Sequence, residues 1–305
     1  MTVRTVAIQS PGDMGSGVGR ELIARGFRAV TCLAGRSERS HALARAAGLE
    51  LVESLDTLVD AADILLSILP PAAAESFADE AAAALRRTGA RPAFADCNAI
   101  SPATALRVAA RFEGTGTTVI DAGIIGNAPG KSALPTRFYC SGPDTAALEA
   151  LDGPNLSVRR LGGDLGRASA MKMVYAATTK GAFTLNTAAL IAARTYGLSD
   201  PFHAELEESR PAAFADMNRR VPRLPLDAER WVGEMHEISE TFAAAGLPAD
   251  FHRGAAAVFE LLARTPIASE TRETVDTSRT LDDALAIFAA TLGSPADDEG
   301  GPTDE

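Results

Sequence analysis

Hydrophobic positions in the first half of the chain fall into short runs that alternate with alanine-rich stretches of helical period. The runs at residues 5–9, 29–33, 50–52, 64–69, 93–95 and 118–120 predict strands, and the stretches at 15–25, 39–47, 55–61, 73–87 and 102–112 predict helices. Apolar strands regularly interleaved with helices imply a parallel sheet covered on both faces, a doubly wound α/β arrangement. Two further runs, 137–140 and 158–161, flank a short helix at 145–151 and are expected to extend the sheet at its edge. Beyond Gly163 the period changes. No strand pattern remains, and helical spacing continues to about Leu292. Residues 166–195 read as one long helix. Ser199-Asp200-Pro201 offers a capping side chain beside a proline suited to a first turn. Trp231, Met235, Ile238, Phe242 and Ala245 then recur at helical spacing before Gly246. The chain shows no internal repeat.

The turns and loops after the strands carry the candidate chemistry, because ligands of an open α/β sheet bind at the carboxyl ends of its strands. The first strand runs into Ser10-Pro11-Gly12-Asp13-Met14-Gly15, and a helical pattern (Val18, Leu22, Ile23) begins at once. In such a strand–glycine turn–helix, the glycines admit a dinucleotide pyrophosphate close to the backbone, and unpaired N–H groups face the anion. Ser10 stands where the first glycine of that fingerprint usually falls. The placement predicts a Rossmann-type sheet over residues 1–163, an all-α domain over 164–293, and a disordered acidic tail over 294–305.

After the second strand, Gly35-Arg36-Ser37-Glu38-Arg39 puts two arginines and a serine where an acid would hold ribose hydroxyls. That favours a 2′-phosphate, and so NADP (NADPH), over NAD; the alternative is that Arg36 and Arg39 merely open a solvated helix. Leu69-Pro70-Pro71 follows the fourth strand and Asp96-Cys97-Asn98 the fifth, and the sixth ends in Asp121 to Asn127. Asp96 and Asp121 are expected to tie turns or cap helices. Asn98 and Asn127, uncharged donor–acceptors on short loops, are better candidates to touch a ligand. In the long helix, Lys172 is the only charge from Ala168 to Thr179, on one face with Tyr175, Ala176 and Thr179. It either snorkels to solvent or, desolvated, suits general acid–base work. Glu234 and Glu237 beside the Trp231 stripe read as a solvated face.

Composition removes other classes. At 305 residues and 46% hydrophobic content the chain can bury a substantial core, and a net charge of −11 argues against a nucleic-acid partner. No leader pattern is visible, and no apolar run approaches the roughly 20 residues of a membrane span. A soluble, cytoplasmic protein without a membrane partner is expected. Cys32, Cys97 and Cys140 are far apart and read as small core residues in a reducing compartment. His41, His203, His236 and His252 share no ligand spacing, so no metal is expected, and they read as surface residues.

Taken in order, these segments resemble the β-hydroxyacid dehydrogenase family, which includes 6-phosphogluconate dehydrogenase and the imine reductases. The family's Gly-Leu-Gly-x-Met-Gly is matched by Ser10 to Gly15, and its Asn-Arg-Ser by Gly35-Arg36-Ser37. Its Asp-x-Ser-Thr-x-x-Pro is matched by Asp96 to Pro102, and its Asp-Ala-Pro-Val-Ser-Gly-Gly by Asp121 to Asn127. Its lysine helix is matched by Asp164 to Ala176. The resemblance implies that Ser10, Pro11, Gly12, Asp13, Met14, Gly15, Arg36, Ser37, Arg39, Leu69, Pro70 and Asn98 hold NADP. It implies that Lys172 is the general acid/base for hydride transfer between nicotinamide and a small β-hydroxy acid or related carbonyl, in a homodimer with intertwined helical domains.

The departures from the family fall on the substrate side. The asparagine after the lysine is Ala176 with Tyr175 before it, Ser-Gly-Gly is Ile125-Gly126-Asn127, and Lys-Asp-Leu is Gly233-Glu234-Met235. A small-molecule substrate is expected to meet Gly126, Asn127, Tyr175, Trp231 and Glu234, with Lys131 or Arg137 as a candidate anion contact. The pattern from Trp231 to Pro248 resembles a divergent branch whose phosphogluconate-dehydrogenase-like helical domain has no defined substrate. Two other readings stand beside this one: C=N reduction, kept open by Tyr175 although imine reductases usually replace the lysine, and NADP binding without catalysis.

Overall fold

A computed structural model of the chain describes residues 2–9 and 11–292. Ser10 of the glycine turn and the acidic tail expected over 294–305 lie outside the described residues. The chain separates into two compact units, one ending at Tyr175 and the other beginning at Ala176.

The first unit runs β1 (Thr5–Gln9), α1 (Asp13–Ala24), β2 (Arg28–Cys32), α2 (Glu38–Ala47), β3 (Glu50–Val52), α3 (Leu55–Ala61) and β4 (Ile64–Ser67). It continues through α4 (Ala74–Thr88), β5 (Ala93–Asp96), α5 (Pro102–Ala110), β6 (Val119–Ile125), β7 (Thr136–Ser141), α6 (Ala146–Glu149), β8 (Leu156–Arg160) and α7 (Arg167–Ala176). Among the described residues, eight strands form one sheet in the order β3-β2-β1-β4-β5-β6-β7-β8. The pairs from β3 to β6 are all parallel, β7 returns antiparallel to β6, and β8 is parallel to β7. This is the Rossmann-type sheet expected from the alternation, with one reversal that periodicity does not show. The chain between β6 and β7, residues 126–135, is too short for a crossover and can only turn back.

Both faces of the sheet are buried. Val6, Ile8, Ile64 and Leu66 join one apolar cluster with Val18, Leu22 and Phe138; Ala7, Val30, Leu65 and Phe94 join the other with Phe77 and Leu85. The period of two along β1 and β4 is thus an alternation between two cores. Ser37, Ser54 and Ser101 cap α2, α3 and α5, accepting from the backbone N–H of Ser40, Thr57 and Thr104 at 3.3, 3.1 and 3.1 Å. Cys32, Cys97 and Cys140 are buried and unpaired, and burial pushes the Cys97 thiol well up and that of Cys140 to about 11.

Two expectations shift. Strand β6 does not stop at residue 120 but runs on through Asp121 to Ile125, because its apolar continuation gains the β7 ladder as partner. Asp121 is therefore inside a strand and not on the loop after it. Residues 166–195 are not one regular helix: α7 gives way to a π turn, Ala177–Gly181. With that turn the second unit opens, followed by α8 (Ala182–Thr195), α9 (Ser199–Ser209), α10 (Pro211–Arg220), α11 (Pro225–Ala244), α12 (Asp250–Ala263) and α13 (Leu281–Leu292). Helix α11 packs along α12, and Met235, Ile238, Phe259, Leu262, Leu285 and Phe288 are buried in this unit. Among the described residues, no helix is long and apolar enough to cross a membrane.

Candidate functional site

Because β1, β2, β4, β5 and β6 are parallel neighbours, the segments after them emerge at one edge of the sheet. That edge gathers Pro11 to Gly15, Arg36 to Arg39, Leu69 and Pro70, Asn98, and Gly126 with Asn127. Helix α1 starts from Gly12, which is extended (φ −69°, ψ −167°) and supplies no side-chain acceptor to the first turn. A Cβ built on Gly12 would meet nothing within 4 Å. An open helix start with uncapped donors fits a pyrophosphate, which could approach the backbone directly. Asp13 adds a negative charge to that first turn, and Arg39 Nη2 answers it at 3.1 Å from Asp13 Oδ1.

Asp121 organises the other side of the edge. It is 2% exposed, and its Oδ2 accepts from Ser141 Oγ (2.9 Å) and from the backbone N–H groups of Ala168 (2.9 Å) and Ser169 (3.1 Å). Its Oδ1 accepts from Ser169 Oγ at 2.6 Å. The carboxylate satisfies the orphan donors at the start of α7 and binds that helix to the sheet. A capping role for Asp121 is thus what the geometry displays. One turn further along α7, Lys172 Nζ donates to the Ile124 carbonyl oxygen at 2.7 Å, near the carboxyl end of β6. Gly123 makes this approach possible: a Cβ there would stand 2.8 Å from the Ala168 carbonyl oxygen and 2.8 Å from Lys172 Cβ. Lys172 is half-buried rather than extended into water, and Tyr175 is exposed.

The remaining predicted residues divide. Arg36 is exposed and its side chain has no hydrogen-bond or ion-pair partner among the described residues, whereas the Ser37 hydroxyl serves as the α2 cap. Pro11 and Leu69 are buried, Met14 packs partly against the core, and Pro70 is exposed. Asn98, expected to face ligand, is 1% exposed and largely committed to the chain. Its Oδ1 accepts from Leu69 N (2.5 Å), its Nδ2 donates to Ser67 Oγ (3.0 Å), and its N–H bonds Asp96 Oδ1 (2.9 Å). It laces the β4 and β5 loops together. Asn127 and Gly126 are exposed, the Asn127 carbonyl accepts from Thr136 Oγ1 at 2.6 Å, and Lys131 is exposed. Arg137 donates to the Pro135 carbonyl at 3.0 Å.

Trp231 and Glu234 belong to the second unit. Glu234 is not on a solvated face: it is 4% exposed and forms an ion pair with Lys180. The Lys180 ammonium also lies 5.5 Å from the centroid of the Trp231 ring, which packs edge-on to Phe259 at 5.2 Å. The pattern along the chain missed Lys180, which stands one residue beyond the uncharged stretch around Lys172. Its signal was a second lysine in an apolar helix. His252, read as a surface residue, is 3% exposed between the rings of Phe242 (4.3 Å) and Phe251 (5.1 Å), and burial lowers its pKa.

Residues 6–152 match the family described as the NAD binding domain of 6-phosphogluconate dehydrogenase, and residues 193–262 match a domain of unknown function, DUF1932. Among solved structures, the chain is similar to a conserved protein of unknown function described as structurally similar to 3-hydroxyacid dehydrogenases. That match has 27% identity and a TM-score of 0.62, over 85% of this chain and 96% of that one. The chain is also similar to 3-hydroxyisobutyrate dehydrogenase of Mycobacterium tuberculosis (21% identity, TM-score 0.64, 96% and 100% covered). A third likeness is to a variant imine reductase from Myxococcus stipitatus in complex with NAD+ (20%, TM-score 0.53, 96% and 100%). At such identities the last two show a shared fold.

Proposed function

We propose, from the match of residues 6–152 to the NAD binding domain of 6-phosphogluconate dehydrogenase and of residues 193–262 to DUF1932, that the chain is an NADP-dependent oxidoreductase. It acts on a small β-hydroxy acid or related carbonyl, in the cytoplasm and as a homodimer. The observation that carries this is the Lys172 ammonium held 2.7 Å from the Ile124 carbonyl at the edge where the glycine turn opens. Bound coenzyme supplies the chemistry of accepting or giving a hydride at the nicotinamide ring.

The chain's own residues supply the rest. The α1 start and Gly12 receive the pyrophosphate, and Arg36, whose side chain is free of other partners among the described residues, reaches for a 2′-phosphate. Asp121 fixes the origin of α7, and so the position of Lys172. Lys172 takes the hydroxyl proton during oxidation and returns it during reduction, help that is typically worth about 10²–10⁴-fold in rate. Apolar side chains exposed on the second unit, among them Leu185, Tyr196 and Leu198, support association of two copies.

The test is a screen of NADP(H) turnover against hydroxy acids, keto acids, aldehydes and cyclic imines, repeated with Lys172→Ala. That variant should bind NADPH as the parent does and turn over at least tenfold more slowly; undiminished turnover removes Lys172 as the acid–base. Reduction of C=N is the second reading, favoured by the exposed hydroxyl-bearing Tyr175 one turn from Lys172. Activity confined to the cyclic imines would select it.

A further inference from the structure

The second unit contains a charged pair that fold stability does not explain. Lys180 and Glu234 side chains are 12% and 5% exposed. Desolvating two such charges usually costs about as much as their attraction returns, and apolar replacements of similar volume are often as stable or more so. Lys180 also sits in a π turn, an element that recurs at functional positions because it loosens the regular hydrogen-bond ladder. An ammonium has three N–H donors and no acceptor. Glu234 takes one, the Trp231 ring faces the cation, and the Lys180 ammonium makes no other hydrogen bond among the described residues.

A second unfilled group lies against the same turn. His252 Nδ1 has no hydrogen-bond partner among the described residues although the residue is 3% exposed. It stands 3.9 Å from where a Cβ on Gly181, the residue next to Lys180, would be. A buried ammonium with open donors beside an indole ring matches a short organic acid, and the imidazole nitrogen is a second unsatisfied group against the same turn. The acid would offer oxygens to the cation and carbon to the ring.

We propose that Lys180, held by Glu234 against Trp231, is a carboxylate-binding site of the helical unit. Glu234 holds the amine in place; Lys180 anchors the acid. The class of ligand rests on the hydroxy-acid reading above, whereas the geometry of the pair does not.

Trp231 is the chain's single tryptophan, so its emission reports this site directly. The full-length protein, without coenzyme, is titrated with 3-hydroxypropionate and with uncharged 1,3-propanediol, sodium chloride holding ionic strength constant. A saturable change with the acid is expected, with the diol at least tenfold weaker. Lys180→Met should raise the half-saturating concentration at least tenfold. The double variant Lys180→Met/Glu234→Gln removes the anchor without stranding a buried carboxylate, and should behave likewise even where the single variant folds poorly. Equal responses to acid and diol, no saturation, or parent-like binding by the double variant each overturn the proposal. Absence of turnover on every substrate would sink the oxidoreductase reading while the site stands.

Discussion

Gly123→Ala tests the contact between β6 and α7 that sets the position of Lys172. The added Cβ would lie 2.8 Å from both the Ala168 carbonyl oxygen and Lys172 Cβ. Carbon contacts normally begin near ~3.5 Å, so the helix or the strand must retreat by at least about half an ångström. Neither obstacle is the tip of a flexible side chain, and α7 is fastened at its origin by three hydrogen bonds to Asp121. Overpacking of this kind costs about 1–3 kcal/mol. In a chain of this size that lowers Tm by roughly 2–10 °C. Displacing a catalytic group by about 1 Å can cost ~10²-fold, so under the acid–base role proposed for Lys172 a loss of tenfold or more in kcat is expected alongside the change in Tm. Thermal denaturation and steady-state NADPH oxidation read the two effects. The sign is diagnostic: with no clash, alanine in place of a strand glycine would stabilise slightly. A variant as stable and as active as the parent would refute the tight approach.

Other perturbations address the coenzyme and the histidine. NADPH should bind more tightly than NADH by calorimetry, and Arg36→Ala should narrow that gap by about tenfold, the value of a charge-assisted hydrogen bond; equal parent affinities would end the 2′-phosphate assignment. Burial lowers the His252 pKa from its ordinary 6.5, so the unfolded chain takes up a proton that the folded chain refuses. Its contribution is complete above pH 6.5 and is lost as pH falls through 6.5 towards the lower folded value. Tm should therefore drop more steeply below pH 6.5 in the parent than in His252→Phe; parallel profiles would show that His252 does not titrate this way.

The order of strands and helices in the first unit was legible because two-residue and 3.6-residue periods report directly which faces are buried. The glycine turn was legible because its backbone requirement is written in residue type. Partners were not. The uncharged run before Lys180 made Lys172 conspicuous, but nothing local says that Lys180 meets Glu234, 54 positions away. Asp121 shows the same limit in reverse. Its apolar neighbours extend β6 and leave it within the strand, where its oxygens meet the N–H groups of Ala168 and Ser169, nearly fifty residues later. The antiparallel return of β7 follows from loop length, which periodicity ignores, and the π turn leaves no trace in composition. Asn98 illustrates a further ambiguity: a polar residue at a strand end suits a ligand and a neighbouring loop equally well, and Leu69 and Ser67 take both side-chain groups.

All three thiols, Cys32, Cys97 and Cys140, stand in the first unit, while the lone indole stands in the second. The unmodified chain consequently has two optical labels, each blind to the other half. Thiol reactivity during urea titration follows exposure of the sheet, and tryptophan emission follows loosening of the helices. Superimposable curves would mark a single cooperative transition, and separated curves a protein whose halves melt independently.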